Sequence, residues 1–212
     1  MIHLDIFSDP VCPWCYIGKA HLDRALASRH DHPFIIEWQP FQLNPDLPPE
    51  GRDRAGYLEE KFGGRAKAAA IYARVEEAAV EAGVEIDFAA MKHQPNTLNA
   101  HRLIHWAGLE GRQTAVKSSL MRAFFREGRD IGDTATLVAI AGATGMDEAV
   151  VARLLASDAD RADIMARDMD ARRKGVTAVP TFLIARQYVV RGAQPPEVWA
   201  QVIDELITLP NP

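Results

Sequence analysis

The chain of 212 residues has two cysteines, and both lie in one tetrapeptide, Cys12-Pro13-Trp14-Cys15. Whatever sulfur chemistry the chain performs is done there. Two cysteines spaced C-x-x-C can close a disulfide across one helical turn, or they can form half of a zinc site. The surrounding residues favour the first. Ile2-His3-Leu4-Asp5-Ile6-Phe7 alternates apolar and polar residues as a strand does, Ser8-Asp9-Pro10 breaks it, and a helix is expected from Cys12 or Pro13 to about Ser28. Pro13 suits a first helical turn, where its missing N–H costs nothing. Unpaired backbone N–H groups and the positive end of the dipole converge at a helix start and stabilise a thiolate. Cys12 is therefore expected to have a lowered pKa and to act as the nucleophile. Cys15, deeper, is expected to resolve the mixed disulfide.

A zinc site would need two more ligands. His101 and His105 stand four apart with His93 not far upstream, but Arg-Leu-Ile lies between them, without the Glu of a metalloprotease helix. No metal is expected. A non-catalytic zinc-binding or holdase module is the alternative these residues leave.

The elements that must position the dithiol follow from periodicity. Phe34 to Phe41 reads as a second strand, and Asn44-Pro45-Asp46-Leu47-Pro48-Pro49 marks a boundary. From about Arg52 to Lys174 the sequence is almost wholly helical, in segments punctuated by Gly and Asp. Strand character returns in Pro180 to Ile184 and Gln187 to Arg191, spaced as a hairpin. A last helix is expected from about Pro196 to Ile207, with Val198, Val202 and Leu206 on one row and Trp199, Ile203 and Ile207 on the next. The order is β-α-β, a helical block, then β-β-α. That implies an α/β thioredoxin fold with a large all-helical insertion: residues 1–45 as its first part, 46–175 as the insertion, and 176–212 as its second part. Val179-Pro180-Thr181 stands just before the third strand. Such a proline can be an ordinary strand-entry residue, or, in a thioredoxin fold, the cis-proline that packs against the dithiol and offers backbone to substrate.

The formal net charge is −5, with no long basic run, which argues against nucleic acid. Arg172-Arg173-Lys174 precedes Gly175 and suits a helix C-terminus. No stretch approaches the ~18 apolar residues of a membrane span, so no membrane partner is expected. Met1 leads straight into the first strand without a signal-peptide pattern, which predicts a cytoplasmic protein if this is the native start.

Four blocks carry a family resemblance: Ser8-Asp9-Pro10-Val11-Cys12-Pro13-Trp14-Cys15-Tyr16-Ile17-Gly18, Trp38-Gln39-Pro40-Phe41-Gln42-Leu43-Asn44-Pro45, Asn96-Thr97-Leu98-Asn99-Ala100-His101, and Gly175-Val176-Thr177-Ala178-Val179-Pro180-Thr181-Phe182. In these the chain resembles the DsbA-like thiol–disulfide oxidoreductases, and among them the FrnE-type branch. The resemblance implies dithiol–disulfide exchange or isomerisation with a thiol- or disulfide-containing protein or small molecule. It makes Cys12 and Cys15 the active cysteines and Pro180 the cis-proline. FrnE-type proteins are often labelled isomerases of polyketide synthesis, a family association that no residue here carries. The periplasmic branch commonly has a His inside its motif. Trp14 brings an indole N–H and no positive charge, so a less oxidising couple is expected, by tens of millivolts at about 30 mV per 1.4 kcal/mol. Kappa-class glutathione transferases and 2-hydroxychromene-2-carboxylate isomerases share the helical insertion and the Val-Pro dipeptide. They carry Ser at the position of Cys12 and give the alternative of a glutathione-dependent transferase or isomerase. Glutathione is open as a co-substrate in either case; no other cofactor is implied.

Asp5 and Glu37, within strands, are the candidate buried acids that could take the proton of Cys15. Asp9 is expected to cap or orient the turn before the motif. Asn96, Asn99 and His101 are candidates for the cleft under the insertion or for ordinary caps. Trp38, Phe41, Phe124 and Phe125 are expected in the core.

Overall fold

A computed structural model describes residues 1–208, so the last four positions of the 176–212 segment lie outside the described residues. Strand β1 (Ile2–Ser8) is followed by helix α1 (Pro13–Ala27) and strand β2 (Phe34–Pro40). The insertion then runs through the two-residue strand β3 (Arg52–Asp53), α2 (Arg54–Phe62), α3 (Arg65–Ala82), the two-residue strand β4 (His93–Gln94), α4 (Leu98–Leu109) and α5 (Gln113–Phe125). It continues through α6 (Thr134–Ala143), α7 (Glu148–Leu155) and α8 (Arg161–Arg173). Strands β5 (Thr181–Ile184) and β6 (Tyr188–Arg191) and helix α9 (Pro196–Thr208) close the fold.

The sheet order is β2-β1-β5-β6, with β1 parallel to β2 and antiparallel to β5. The chain thus adopts the thioredoxin arrangement with a helical insertion between β2 and β5. The pair β3–β4, Arg52 against Gln94 and Asp53 against His93, is too short to leave a pattern in the sequence.

Strand alternation sorts β1 into two faces. Leu4 and Ile6 are fully buried. Ile6 lies beside Phe182, whose ring meets that of Trp199 edge-on at 4.6 Å, so this face is covered by α9 and by α1 packed against it. The other face, with Asp5, Phe7 and Leu183, is only partly covered by α8 and leaves a groove of about 710 Å³.

The insertion is fastened to the core through polar side chains. At edge strand β2, Gln113 imitates another strand: its amide oxygen accepts from the Trp38 N–H at 2.8 Å, and its amide N–H donates to the Trp38 carbonyl at 3.2 Å. Asp168 on α8 is buried and accepts from the Gln42 N–H at 2.9 Å and from Arg172 at 3.2 Å. Arg172 also donates to the Gln42 carbonyl and lies 4.1 Å over the Phe41 ring. So within the basic triplet, Arg172 binds α8 to the loop after β2.

Candidate active site

Cys12 is the residue at which α1 begins. Its backbone is extended, and its carbonyl accepts from the N–H groups of Cys15 and Tyr16 at 3.0 and 3.2 Å, while Pro13 takes the first helical position. Both thiols are free and buried. Cys12 faces a cavity of about 290 Å³, which Cys15 does not line. Trp14 is on its rim and 40% exposed.

The Val179–Pro180 peptide is cis. The Cys12 thiol points at the Val179 carbonyl, 3.6 Å away. The loop is pinned by the Thr181 hydroxyl, which donates to the Ala178 carbonyl at 2.7 Å, and by the Gly192 N–H, which donates to the Pro180 carbonyl at 2.9 Å. Gly18 on α1 permits the approach: a Cβ there would stand 3.1 Å from Pro180 Cγ and 3.3 Å from Ala193 Cα. Two segments 167 residues apart therefore meet at one sulfur.

The two thiols titrate as a pair. The Cys12 thiol is held well above its ordinary value by its hydrogen bond to Cys15, then by burial and by the charge of Cys15. Burial would push Cys15 up too, but the hydrogen bond from Cys12, the Lys117 ammonium and the Ser8 hydroxyl bring it below its ordinary value. At Cys12 the direction is opposite to that expected from the helix start, and the lowered partner of the pair is Cys15, chiefly through the Cys12 hydrogen bond and then the Lys117 ammonium.

Asp5 and Glu37 are not buried acids. They are paired in register on the face away from α1 and α9, Glu37 is exposed, and Asp5 is half-buried and accepts from Gln39 at 2.8 Å. The buried acid beside the dithiol is Asp9, with no exposed surface. Its carboxylate accepts from the N–H of Leu43 at 2.7 Å and from the Thr97 hydroxyl at 3.4 Å, with His101 Nε2 at 3.7 Å. Its place outside the strand pattern hid its burial from the sequence. Asn96 accepts from the Leu98 N–H at 2.9 Å and donates to the Leu47 carbonyl at 2.7 Å, and Asn99 accepts from Arg102 at 2.9 Å. Neither these two nor His101 lines the cavity. Trp38, Phe41, Phe124 and Phe125 are buried in the core. Among the described residues no three His, Cys, Asp or Glu converge as a metal-binding group, and no helix is long and apolar enough to cross a membrane.

The roof over Cys12 comes from α2 and α3, and the sequence reading missed it. Lys61 donates to the Tyr57 hydroxyl at 2.6 Å and to Asn44 Oδ1 at 2.9 Å. Tyr57 donates to Asn44, and burial pushes its hydroxyl up to about 12, so it stays a neutral donor. Arg54, 4% exposed, donates to Gln94 and, at 2.7 Å, to the Tyr72 hydroxyl, with its guanidinium 5.4 Å from the Tyr72 and Phe124 rings. Among the described residues neither Lys61 nor Arg54 forms an ion pair with a carboxylate (the ion pairs of this region are Arg52–Glu60 and Arg65–Glu59). Helical composition announced α2 and α3, but nothing in it says which residues turn inward.

Comparison with known proteins agrees with this geometry. Residues 3–204 match the DSBA-like thioredoxin domain. The chain belongs to that family. It is 28% identical over 208 residues to the uncharacterized protein YwbO of Bacillus subtilis, covering 96% of each chain. A probable DsbA oxidoreductase from Streptomyces coelicolor is similar in structure, with a TM-score of 0.88 and 30% identity over 100% of this chain and 92% of that one. The cytosolic disulfide reductase DsbM of Pseudomonas aeruginosa, solved with GSH, shares the fold at a TM-score of 0.72 and 17% identity, over 98% of this chain and 100% of that one. The family is one of DsbA-like thiol–disulfide oxidoreductases that act on thiol or disulfide substrates.

Proposed function

We propose that this DsbA-like protein exchanges its dithiol with the disulfide of a small, carboxylate-bearing thiol, glutathione being the natural candidate. One observation carries the reading: Cys12 lies at the base of a roofed cavity of about 290 Å³, the size of a small-ligand pocket, whose two roof cations, Arg54 and Lys61, have only neutral partners among the described residues. Arg54 is buried and Lys61 is exposed; a buried cation without a counter-ion is costly, and a ligand carboxylate would supply one to Arg54. The solved complex of DsbM with GSH supports the choice of ligand by shared fold.

In the exchange, Cys12 gives up its proton to solvent in the cavity it lines. The Cys12 thiolate attacks one sulfur of the substrate disulfide, and the other sulfur leaves as a thiolate and takes a proton. Cys15 then attacks Cys12 Sγ, breaks the mixed disulfide and releases the second thiol. The exchange is one equilibrium that runs either way: in reverse, two glutathione thiols reduce the Cys12–Cys15 disulfide and leave as glutathione disulfide.

Equilibration of the protein against a glutathione redox buffer tests this. The Cys12–Cys15 disulfide is expected to form in oxidised buffer, and Cys12→Ser to abolish it. Cys15→Ser should accumulate a one-to-one mixed disulfide with glutathione through Cys12. A pair that never closes would remove the exchange reading. A Cys15→Ser protein that traps other proteins and ignores glutathione would remove the small-molecule reading.

A further inference from the structure

Across the roof from Cys12 there is a second cavity, and the exchange just described gives it no task. It opens between α2 and α3 and holds about 420 Å³. Arg54, Leu58 and Tyr72 line both this cavity and the one over Cys12, so three side chains form the wall between them. The rest of the lining is mostly apolar. Ala69 and Ala73 fall one turn apart on the same face of α3 and leave it flat. The Tyr72 and Phe88 rings meet edge-on at 5.1 Å, and the buried Met91 adds its soft side chain beside them. Such a lining suits a flat apolar ring.

The shared wall carries a charge. Arg54 is 4% exposed, and its guanidinium has five N–H donors. One goes to Gln94 and one to the Tyr72 hydroxyl; the other three have no partner among the described residues. Asp53, Glu76 and Lys92 also line the cavity, but all three are exposed and belong to its rim. Asp53 is engaged there by the Gly56 N–H at 2.8 Å. Within the cavity the sign is therefore set by Arg54, whose planar fork matches a carboxylate. We propose that this cavity is a second ligand site: it takes an aromatic carboxylate, with the ring against Tyr72 and Phe88 and the anionic end on Arg54. Two carboxylates on one buried cation would leave net negative charge in the wall. The occupant and the substrate therefore weaken each other's binding, and by the same factor. This coupling rests on the assignment of Arg54 to the substrate carboxylate, whereas the site itself does not.

The probe is 2-naphthoate. Its affinity for the unaltered protein is measured by equilibrium dialysis, and its position by intermolecular NOEs, which should reach the Met91 methyl and the Phe88 ring. The neutral analogue 2-naphthylmethanol should bind about tenfold more weakly, since it cannot form the charged pair with Arg54. Ala73→Leu fills the space from the exposed side of α3, and Ala73 does not line the cavity over Cys12. That variant should bind naphthoate about tenfold more weakly or worse, with glutathione exchange unchanged when naphthoate is absent. In the unaltered protein, saturating naphthoate should raise KM for glutathione about fivefold or more, with kcat unchanged. In Ala73→Leu the same naphthoate concentration should have little effect.

Three results would overturn the site: no binding at millimolar naphthoate, NOEs to side chains elsewhere, or equal binding of the neutral analogue. Inhibition that persists in Ala73→Leu would put naphthoate over Cys12 and overturn it as well. If Ala73→Leu fails to fold, the NOEs in the unaltered protein decide. Naphthoate that binds between α2 and α3 and leaves KM unchanged overturns the coupling. A dithiol that never exchanges with glutathione removes the function proposed above, while naphthoate binding still decides this inference.

Discussion

The thioredoxin core and the inserted helices bring different things to one cleft. The core brings sulfur and backbone: Cys12 and Cys15 at the start of α1, and the Val179 carbonyl on the cis-proline loop. The insertion brings charge: Arg54 and Lys61 over the cavity, and Lys117 beside the thiols. The contrast separates two jobs. The core geometry makes an exchange reaction available. The insertion sets how the charge in that reaction is held and what shape of partner can reach Cys12. On this division, changes in the insertion shift equilibria and affinities, whereas changes at the two cysteines remove the reaction.

The largest effect in the insertion should come from Lys117 in the disulfide form, where the thiols do not titrate. With both thiols free, burial holds its ammonium down to about 8 even with the help of Cys15, Asp9 and Cys12, against about 10.4 for an unfolded lysine; the disulfide removes the two cysteine charges, so the value there is lower still. Below that value both states carry the proton, and the folded state bears the full cost. Between it and about 10.4 the unfolded chain binds the extra proton, so stability rises with pH, by at least about 3 kcal/mol in all. Urea unfolding of the oxidised protein across this range checks it: the rise should be present in the unaltered protein and absent from Lys117→Met. Equal slopes would mean that the lysine is solvated in solution.

The next effect belongs to the seam between the two regions. Asp168→Ala removes the acceptor of the Gln42 N–H and the partner of Arg172. It leaves a buried N–H unpaired, at a cost of about 2 kcal/mol. The urea midpoint should fall with an unchanged m-value if core and insertion unfold together. A second transition would show that the seam alone had joined them.

How much of this was legible in the sequence follows the same division. The dithiol, its helix and the strand before it could be read because each depends on neighbours along the chain: C-x-x-C after an alternating strand and before a helical run. The Val179–Pro180 loop needed the family resemblance, since a proline before a strand has an ordinary explanation. The charge around the thiols was not legible. Arg54 and Lys61 sit in α2, whose composition reads as solvent-facing, and Lys117 sits in α5 among apolar residues that face the core; only the tertiary packing buries Arg54 and Lys117 and sets Lys61 at the cavity. The buried acid was sought in the strands, where alternation alone does not say how well each face is covered. The α8 face is open enough to wet Asp5 and Glu37, while Asp9, in a loop of breakers, is sealed.

A smaller effect sharpens the roof's share. Lys61→Ala removes one of the two cations over the cavity and leaves the dithiol untouched. If the cation binds substrate and product alike, KM for glutathione should rise about tenfold, near 1.4 kcal/mol, with kcat little changed. A fall in kcat with KM unchanged would place Lys61 in the exchange step instead.

The smallest effect is the most discriminating for the core itself. Asp5→Asn and Glu37→Gln alter two strand carboxylates whose position suggested a proton acceptor for Cys15. Asn at position 5 can still accept from Gln39, and the Glu37–Arg167 contact is a 3.5 Å surface pair with Glu37 exposed, worth little in water. Each variant should stay within about 0.5 kcal/mol of the unaltered stability, with the same pH profile of glutathione exchange. A profile displaced by either change would mean that the proton of Cys15 crosses the sheet to the α8 face. The exchange would then draw on the face of β1 that lies away from α1, and the division between a core that carries the reaction and an insertion that carries its charge would no longer hold.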